Sequence, residues 1–402
     1  MRRYALYVSV CAAAVMFLPA AETQSPPPPV EAPTGFDDQT NGVLLQDEFN
    51  AAKDVFEERE VLDDGLGPVY NAQSCAECHQ NPTTGAISQV TEHRAGHFDP
   101  FRGFVDHPGG SLINDRAINA DFQERVQAGN EVRTFRTSLN TLGDGFVEAI
   151  DSNTLVAISR GQPFGMRGQF IQVPVLEADG LVRGGRFGWK NQHASLVSFS
   201  ADAYLNEMGI TSPFQAVDNT SNGRGPGDGV ADEVPDPEDN GEDVESFASF
   251  MRSTKAPPRD AELAATPEAR EGSALFDSIG CVACHVRTIV TAPPGTVINR
   301  GAFTVPDALG NKIIHPFSDF LLHDVGTGDG IVQNGGQSTR NKLRTSPLWG
   351  LRTRTRLMHD GESLTRTDAI QRHGREAALV TFRWILLSNT QKNRVLTFLD
   401  SL

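Results

Sequence analysis

Along residues 391–402 (QKNRVLTFLDSL), Val395, Phe398, Leu399 and Leu402 fall on one side of a 3.6-residue repeat, which predicts a closing amphipathic helix. Residues 267–279 (PEAREGSALFDSI) predict a second, short helix with Ala269, Leu275 and Phe276 inward. A third helix is expected over residues 364–372, where Ala369 and Ile370 share an apolar face with His373 and Gly374 follows as a stop. Residues 169–176 read as strand-like or irregular, in a stretch rich in glycine. These patterns predict a mainly α fold with long loops and minor β.

The ends and the middle of the chain break the rhythm. Residues 5–18 form an almost unbroken apolar run after Arg2 and Arg3, and Ala20 and Ala21 offer a cleavage site. This reads as an export signal over residues 1–21, too short for a comfortable membrane span. No later stretch is long and apolar enough for an integral membrane segment in the mature chain, so a periplasmic or exported protein is expected. Residues 22–35 are a proline-rich spacer. Residues 216–245 are rich in Asp, Asn, Gly and Pro and read as an acidic surface linker. The linker's carboxylates suggest calcium, without the ordered spacing of a twelve-residue calcium loop. It separates an N-terminal unit, 36–215, from a C-terminal unit, 246–402.

Composition changes the picture in one respect. The 402 residues carry a formal net charge of −16, concentrated between Asp228 and Glu245, and this excludes nucleic acid as a partner. Apolar and charged contents of 39% and 21% are ordinary for a globular chain.

Of the 5 cysteines, Cys11 falls in the leader. The other four form two Cys-x-x-Cys pairs, each followed at once by histidine: Cys75-Ala-Glu-Cys78-His79 and Cys281-Val-Ala-Cys284-His285. Two disulfides are the default for an exported chain, but that default does not explain the histidines. Thiols three residues apart can each add across a vinyl group of one haem, and the adjacent histidine then lies beneath the iron. Zinc wants a second pair of ligands at short spacing, and neither motif has one. A thioredoxin-like motif has no need of the histidine. The cysteines therefore predict two covalently bound haem c groups, one in each of two c-type cytochrome domains. Tyr70 and Phe276 each lie five residues before the first cysteine, placed to pack on a haem edge.

The ordered stretches GLGPVYNAQSCAECH, GGSLINDRAI, GRFGWKNQHASL, YLNEMGIT, FSDFLLHDVG, SPLWGL, LMHDGES and FLDSL extend this pattern over nearly the whole mature chain. Through them the chain resembles the di-haem oxidoreductases labelled thiol oxidoreductase-like. These are a branch of the bacterial di-haem cytochrome c peroxidase superfamily, whose relatives include tryptophan-tryptophylquinone maturation enzymes and di-haem rubber oxygenases. The resemblance implies reaction at the N-terminal haem, a six-coordinate C-terminal haem that passes electrons, and a tryptophan between them. The label's thiol chemistry finds no support here, because every mature cysteine is committed to haem.

Position by position, the resemblance assigns His373 as second axial ligand opposite His285, fourteen residues after His359 of the Met358-His359-Asp360-Gly361 turn. Met358 is its rival. His93 and His97 are the candidate resting ligands of the first haem. His107, His193, His315 and His323 have no better claim, although His323-Asp324 offers a supporting bond. Glu207 matches the distal glutamate that moves protons during peroxide cleavage, with Glu148 as second choice. Trp189 matches the inter-haem tryptophan. Phe199, ten residues on, stands where peroxidase-active relatives often have glutamine, which favours oxygen-binding relatives. Arg344, Arg352, Arg354 and Arg356 are candidate partners for haem propionates.

The expected function is a peroxidase-like di-haem oxidoreductase supplied with electrons by a small redox protein or other donor, acting on peroxide or a small substrate. A pure electron-transfer cytochrome and a haem-dependent oxygenase or protein-maturation enzyme are the alternatives.

Overall fold

The computed structural model describes residues 28–225 and 234–402. The expected export signal, residues 22–27 of the proline-rich spacer and residues 226–233 of the acidic linker lie outside the described residues. The helices are α1 (Gln46–Glu57), α2 (Asp144–Glu148), α3 (Ser152–Gly161), α4 (Leu196–Ala203), α5 (Glu242–Ser253), α6 (Ala261–Ala264), α7 (Pro267–Ile279), α8 (Arg366–Gln371), α9 (Ala378–Leu386) and α10 (Asn389–Asp400). Among the described residues none is long and apolar enough to cross a membrane.

The C-terminal helices show how local sequence sets their limits. The Thr266 hydroxyl accepts from the Ala269 amide, Pro267 takes the first helical position, and Gly280 ends α7 in the left-handed region at φ 105°. Ser388 and Gln391 form a reciprocal capping box at the start of α10. Between the two helices, a Cβ on Gly272 would lie 1.8 Å from the Arg394 carbonyl oxygen, so only glycine lets the backbones meet. That contact brings Phe276 and Ile279 onto Val395, Phe398 and Leu399, with Trp384 of α9 closing the cluster. Ala269 is buried and Leu275 is partly buried against the same cluster.

A larger core sits under α1 and α5. Phe56 packs against Phe250, with ring centres 4.7 Å apart, and edge-on against Phe247. Phe146, Leu196 and Tyr204 extend this core, and Ile289, Val305, Leu309 and Ile314 join it from beyond the second cysteine motif. The two cysteine-bearing segments are also tied by a small sheet. Val30–Glu31 runs parallel to Lys312–Ile314, which pairs antiparallel with Ile289–Val290.

The expectation of a mainly α fold fails. Helix accounts for 34% and strand for 17%, so the fold is mixed α/β. Much of the strand lies between residues 91 and 137. There Thr91–Asp99 pairs antiparallel with Val132–Thr137, Gly103–Asp106 and Leu112–Ile113. The sequences TEHRAGHFD and VRTFRT lack the alternation of apolar and polar residues that marks a half-buried strand. Their inward positions carry Glu92, Arg94 and Arg136, which satisfy one another by ion pairing instead of burying apolar side chains. The stretch 169–176, expected to be strand-like or irregular, contains a regular strand, Gln172–Val175, paired with Leu181–Gly184.

Candidate haem centres and the acid cluster

Both cysteine motifs form the same single turn. Cys75–Glu77 and Cys281–Ala283 are short 3-10 helices, and in each the histidine amide bonds the first cysteine's carbonyl at 3.0 Å. Ser74 caps the first turn through its hydroxyl, and left-handed Gly280 enters the second. The pairs are free thiols rather than disulfides. Burial pushes both Cys78 and Cys281 up to about 12, so these thiols stay protonated rather than acting as exposed redox thiolates.

Each imidazole is anchored by its Nδ1. His79 Nδ1 lies 3.1 Å from the Ala86 carbonyl oxygen, and His285 Nδ1 lies 2.9 Å from that of Phe317. Phe317 adopts φ 50°, uncommon for an aromatic residue. With Nδ1 donating to a carbonyl, Nε2 is left as the basic, ligating nitrogen. An aromatic ring stands near each: Phe276 at 6.2 Å from His285, and Phe56 of α1 at 6.3 Å from His79. Phe56 thus stands beside His79, while Tyr70 packs against the larger core.

The second motif opens into an apolar cavity lined by Cys281, Cys284, His285, His373, Met358 and Trp189, among others. The rings of His285 and His373 face each other with centres 6.5 Å apart. A histidine–metal bond of about 2 Å plus about 1.1 Å from nitrogen to ring centre, doubled, gives about 6.2 Å for two imidazoles on one ion. His373 Nδ1 lies 2.7 Å from the Ala369 carbonyl oxygen, one turn back from the end of α8, which again leaves Nε2 free. Burial draws both histidines toward the neutral, ligating form, His285 down to about 4.

Arg344 and Arg354 line the same cavity. Burial presses each guanidinium down to about 10, and the Arg344 Nε has no hydrogen-bond partner. Two buried guanidiniums, Arg344 facing only the buried Asp144 and Arg354 facing no carboxylate among the described residues, fit the two propionates of a haem. Arg356 lines the cavity too, while Arg352 bonds the Pro258 carbonyl and stacks over Phe36.

With this geometry in view, the relationships of the chain can be placed. The family model described as "Di-haem oxidoreductase, putative peroxidase" matches residues 116–402. The chain belongs to that family. The match begins after the first cysteine motif. No curated protein matches the chain. Loose structural likenesses include a Kuenenia stuttgartiensis hydrazine synthase (14% identity, 99% of this chain and 100% of that chain, TM-score 0.38). Others are a MauG-like protein associated with microbial copper homeostasis (15%, 97% and 95%, 0.42) and the diheme peroxidase BthA from Burkholderia thailandensis (14%, 89% and 86%, 0.42). At such scores these likenesses carry no argument about chemistry.

Glu207 sits in a π-helical turn, Tyr204–Met208. Its carbonyl accepts from the Asn71 and Ala72 amides, which pins the turn to the segment leading into Cys75. Left-handed Gly209 makes the approach possible, because a Cβ there would lie 2.4 Å from the Gly67 carbonyl oxygen. The Glu207 carboxyl accepts from Asn71 Nδ2 at 2.8 Å and lies in hydrogen-bonding contact with Glu92. Burial, then the charge of Glu92, push it up to about 8. A polar cavity of about 290 Å3 borders this cluster, lined by Arg94, Asn206, Asp202 and His193.

Trp189 lines the cavity of the second motif, donates through Nε1 to the Thr137 carbonyl at 2.8 Å, and meets His359 edge-on. Thr137 leads through Ser138 into Leu139, whose backbone reaches His79. The indole therefore stands on the route between the two motifs. Glu148 is fully buried but engaged elsewhere. Arg252 binds it with Nε at 2.6 Å, and the Leu196 amide donates to it at 2.8 Å. It clamps α2, α4 and α5. His93 and His97 sit on the strand face opposite Glu92 and Arg94, and His93 stacks on Phe135 at 4.8 Å. The structure does not bring Glu148, His93 or His97 to the first motif's histidine. Phe199 stacks on Phe187 and leans on His193.

Of two further groups, the first was expected only as a supporting pair with Asp324 and the second was missed. His323 bonds Asp319 and Glu376, both at 2.8 Å, and lies 3.7 Å from Cys284 Sγ. Burial opposes its charge, but these bonds outweigh burial and push it up to about 12. Glu92 is the second, hidden in a polar strand with no motif around it. Of the linker carboxylates, Asp218, Asp236 and Glu238 cluster, with Asp236 and Glu238 bonded to Thr211.

Proposed function

We propose that the chain is an exported di-haem c-type oxidoreductase of peroxidase-like activity, reacting at the N-terminal site and relaying electrons through the C-terminal one. Cys75, Cys78 and His79 would hold one haem, and Cys281, Cys284, His285 and His373 would hold the other. The observation that carries this reading is the contrast between the two motifs: a second imidazole at single-iron distance from His285, and the Glu207 turn with its acid cluster pinned to the segment that leads into Cys75. When bound, the haems would supply one-electron redox chemistry and, at the first site, binding of an oxygen-containing substrate.

The protein's own groups do the rest. Glu207 takes a proton from one oxygen of the substrate and returns it to the leaving oxygen. Asn71 orients that carboxyl. Trp189 shortens the path for electrons between the motifs. Arg344 and Arg354 neutralise the propionates, and the apolar cavity around His285 excludes water. Two histidine ligands give the second haem a lower potential than a His/Met pair would. Electrons arrive from a small redox protein or comparable donor. Calcium enters no step of this reading.

The apolar side chain of Phe199 favours a second reading, an oxygenase or maturation enzyme at the same site. Low-temperature EPR of the oxidised and half-reduced holoprotein tests the first. A high-spin ferric signal abolished by peroxide is expected. Two low-spin signals unmoved by peroxide in both states leave an electron carrier only.

A further inference from the structure

Glu92 and Glu207 come from different elements and meet as carboxyls. An ionised carboxylate only accepts hydrogen bonds, so two in contact require a proton between them. Glu92 is held as the charged member. Arg94 grips it in a fork, with Nε at 2.6 Å and Nη2 at 3.0 Å, and Arg136 stands 3.7 Å away. Burial opposes that charge, but the two guanidiniums outweigh it and hold Glu92 below the usual carboxylate range.

Neither carboxyl can drift. Glu92 lies directly across the strand ladder from Arg136, and the neighbouring pairs Thr91–Thr137 and His93–Phe135 fix the register. Arg94 is itself held by the Ser111 hydroxyl at 3.1 Å, and Glu207 rides on the turn pinned by Asn71 and Ala72. Cys78 also faces the pair, and Asp202 faces Arg94.

This arrangement addresses a difficulty in the reading above, on which it rests. A lone buried Glu207 that keeps its proton at neutral pH is a poor base. We propose that Glu92 and Glu207 share one proton and act as a single acid–base unit, Glu92 being the positioning residue that stores Glu207's proton. As Glu207 takes the substrate's proton, its own proton passes to Glu92. One substrate O–H bond breaks, one O–H bond forms on Glu207, and one transfers to Glu92. The return of a proton to the leaving oxygen reverses these shifts. No electron moves in either step.

The test is an infrared pH titration of the haem-loaded protein in H2O and D2O, following the protonated-carboxyl C=O band. Wild type should keep this band through neutral pH, and Glu207→Gln should remove it. Glu92→Gln should move its titration down by about one pH unit or more, because a like charge is gone, and Glu92→Asp should restore part of the shift. A plain structural ion pair between Glu92 and Arg94 would leave the Glu207 band where it was. That result, or a wild type with no such band at neutral pH, overturns the proposal. Thermal unfolding and haem content show whether each variant is folded, and the isotope-sensitive band of wild type needs no variant. If peroxide leaves the wild-type EPR unchanged while the band shifts as described, the reaction at the first haem fails and the shared proton stands.

Discussion

The two cysteine motifs fold into nearly superimposable turns, yet their surroundings differ in kind. Around His285 the chain builds an apolar cavity closed by α7, α8, α9 and α10, with His373 as the facing group. The segment leading to His79 instead meets the charged strand and the Glu207 turn, where Asn71, Glu92, Arg94 and Arg136 form a continuous polar cluster. The lesson is that the attachment motif decides only where a haem is held. What the haem can do follows from whether the opposite face offers a ligand or a proton carrier.

Breaking the comparison at its root has the largest expected effect. Replacing Cys281 and Cys284 together by alanine, or Cys75 and Cys78 together, should each remove one haem, halving the pyridine haemochrome per chain and lowering the mass by one haem. If either double variant keeps both haems, thioether attachment at that motif is wrong.

The next largest effects should separate the sites. Glu207→Gln is expected to slow the reaction with peroxide by roughly 100- to 10,000-fold while leaving the low-spin signal of the second haem intact. His373→Met should do the converse, raising the second haem's potential in a redox titration with the first haem's peroxide response preserved. Equal damage to both readouts from either variant would mean that the two sites do not divide the work.

The smallest effect sharpens the contrast in charge. Asp329 is clamped by Arg136 at 2.7 Å and by Lys190 at 3.2 Å. Burial would raise it, but these cations hold it down to about 2. Because the folded value lies below the unfolded value of about 3.9, its contribution is complete above about pH 4 and is lost as pH falls toward about 2. Asp329→Asn should remove stability on the order of 2 kcal/mol at neutral pH and flatten the acid limb of a urea-unfolding series between pH 4 and pH 2. An acid limb identical to wild type would show that this cluster adds nothing to the folded state.

Part of this architecture was legible in the residues. The helix at 267–279 and the closing helix declare themselves because their apolar side chains recur with the helical period and their caps are local. His373 was reachable because a short helix carries it on the same face as Ala369 and Ile370. The charged strand was not, since its inward side chains are neutralised by partners as distant as Asp329, and ion pairing leaves no period in the sequence.

By itself, the sequence determined the two attachment turns, the helices that deliver and cover the second, and the resemblance to a di-haem family. Each is written in residues a few positions apart. Tertiary structure alone decided that Glu148 is a clamp, that His93 and His97 point away from Glu92 and Arg94, that Phe56 stands beside His79, and that Glu92 meets Glu207. Those outcomes depend on which strand face turns inward and on contacts across more than a hundred residues. No local pattern encodes them, because a buried charge is tolerated only where the whole fold brings its partners to it.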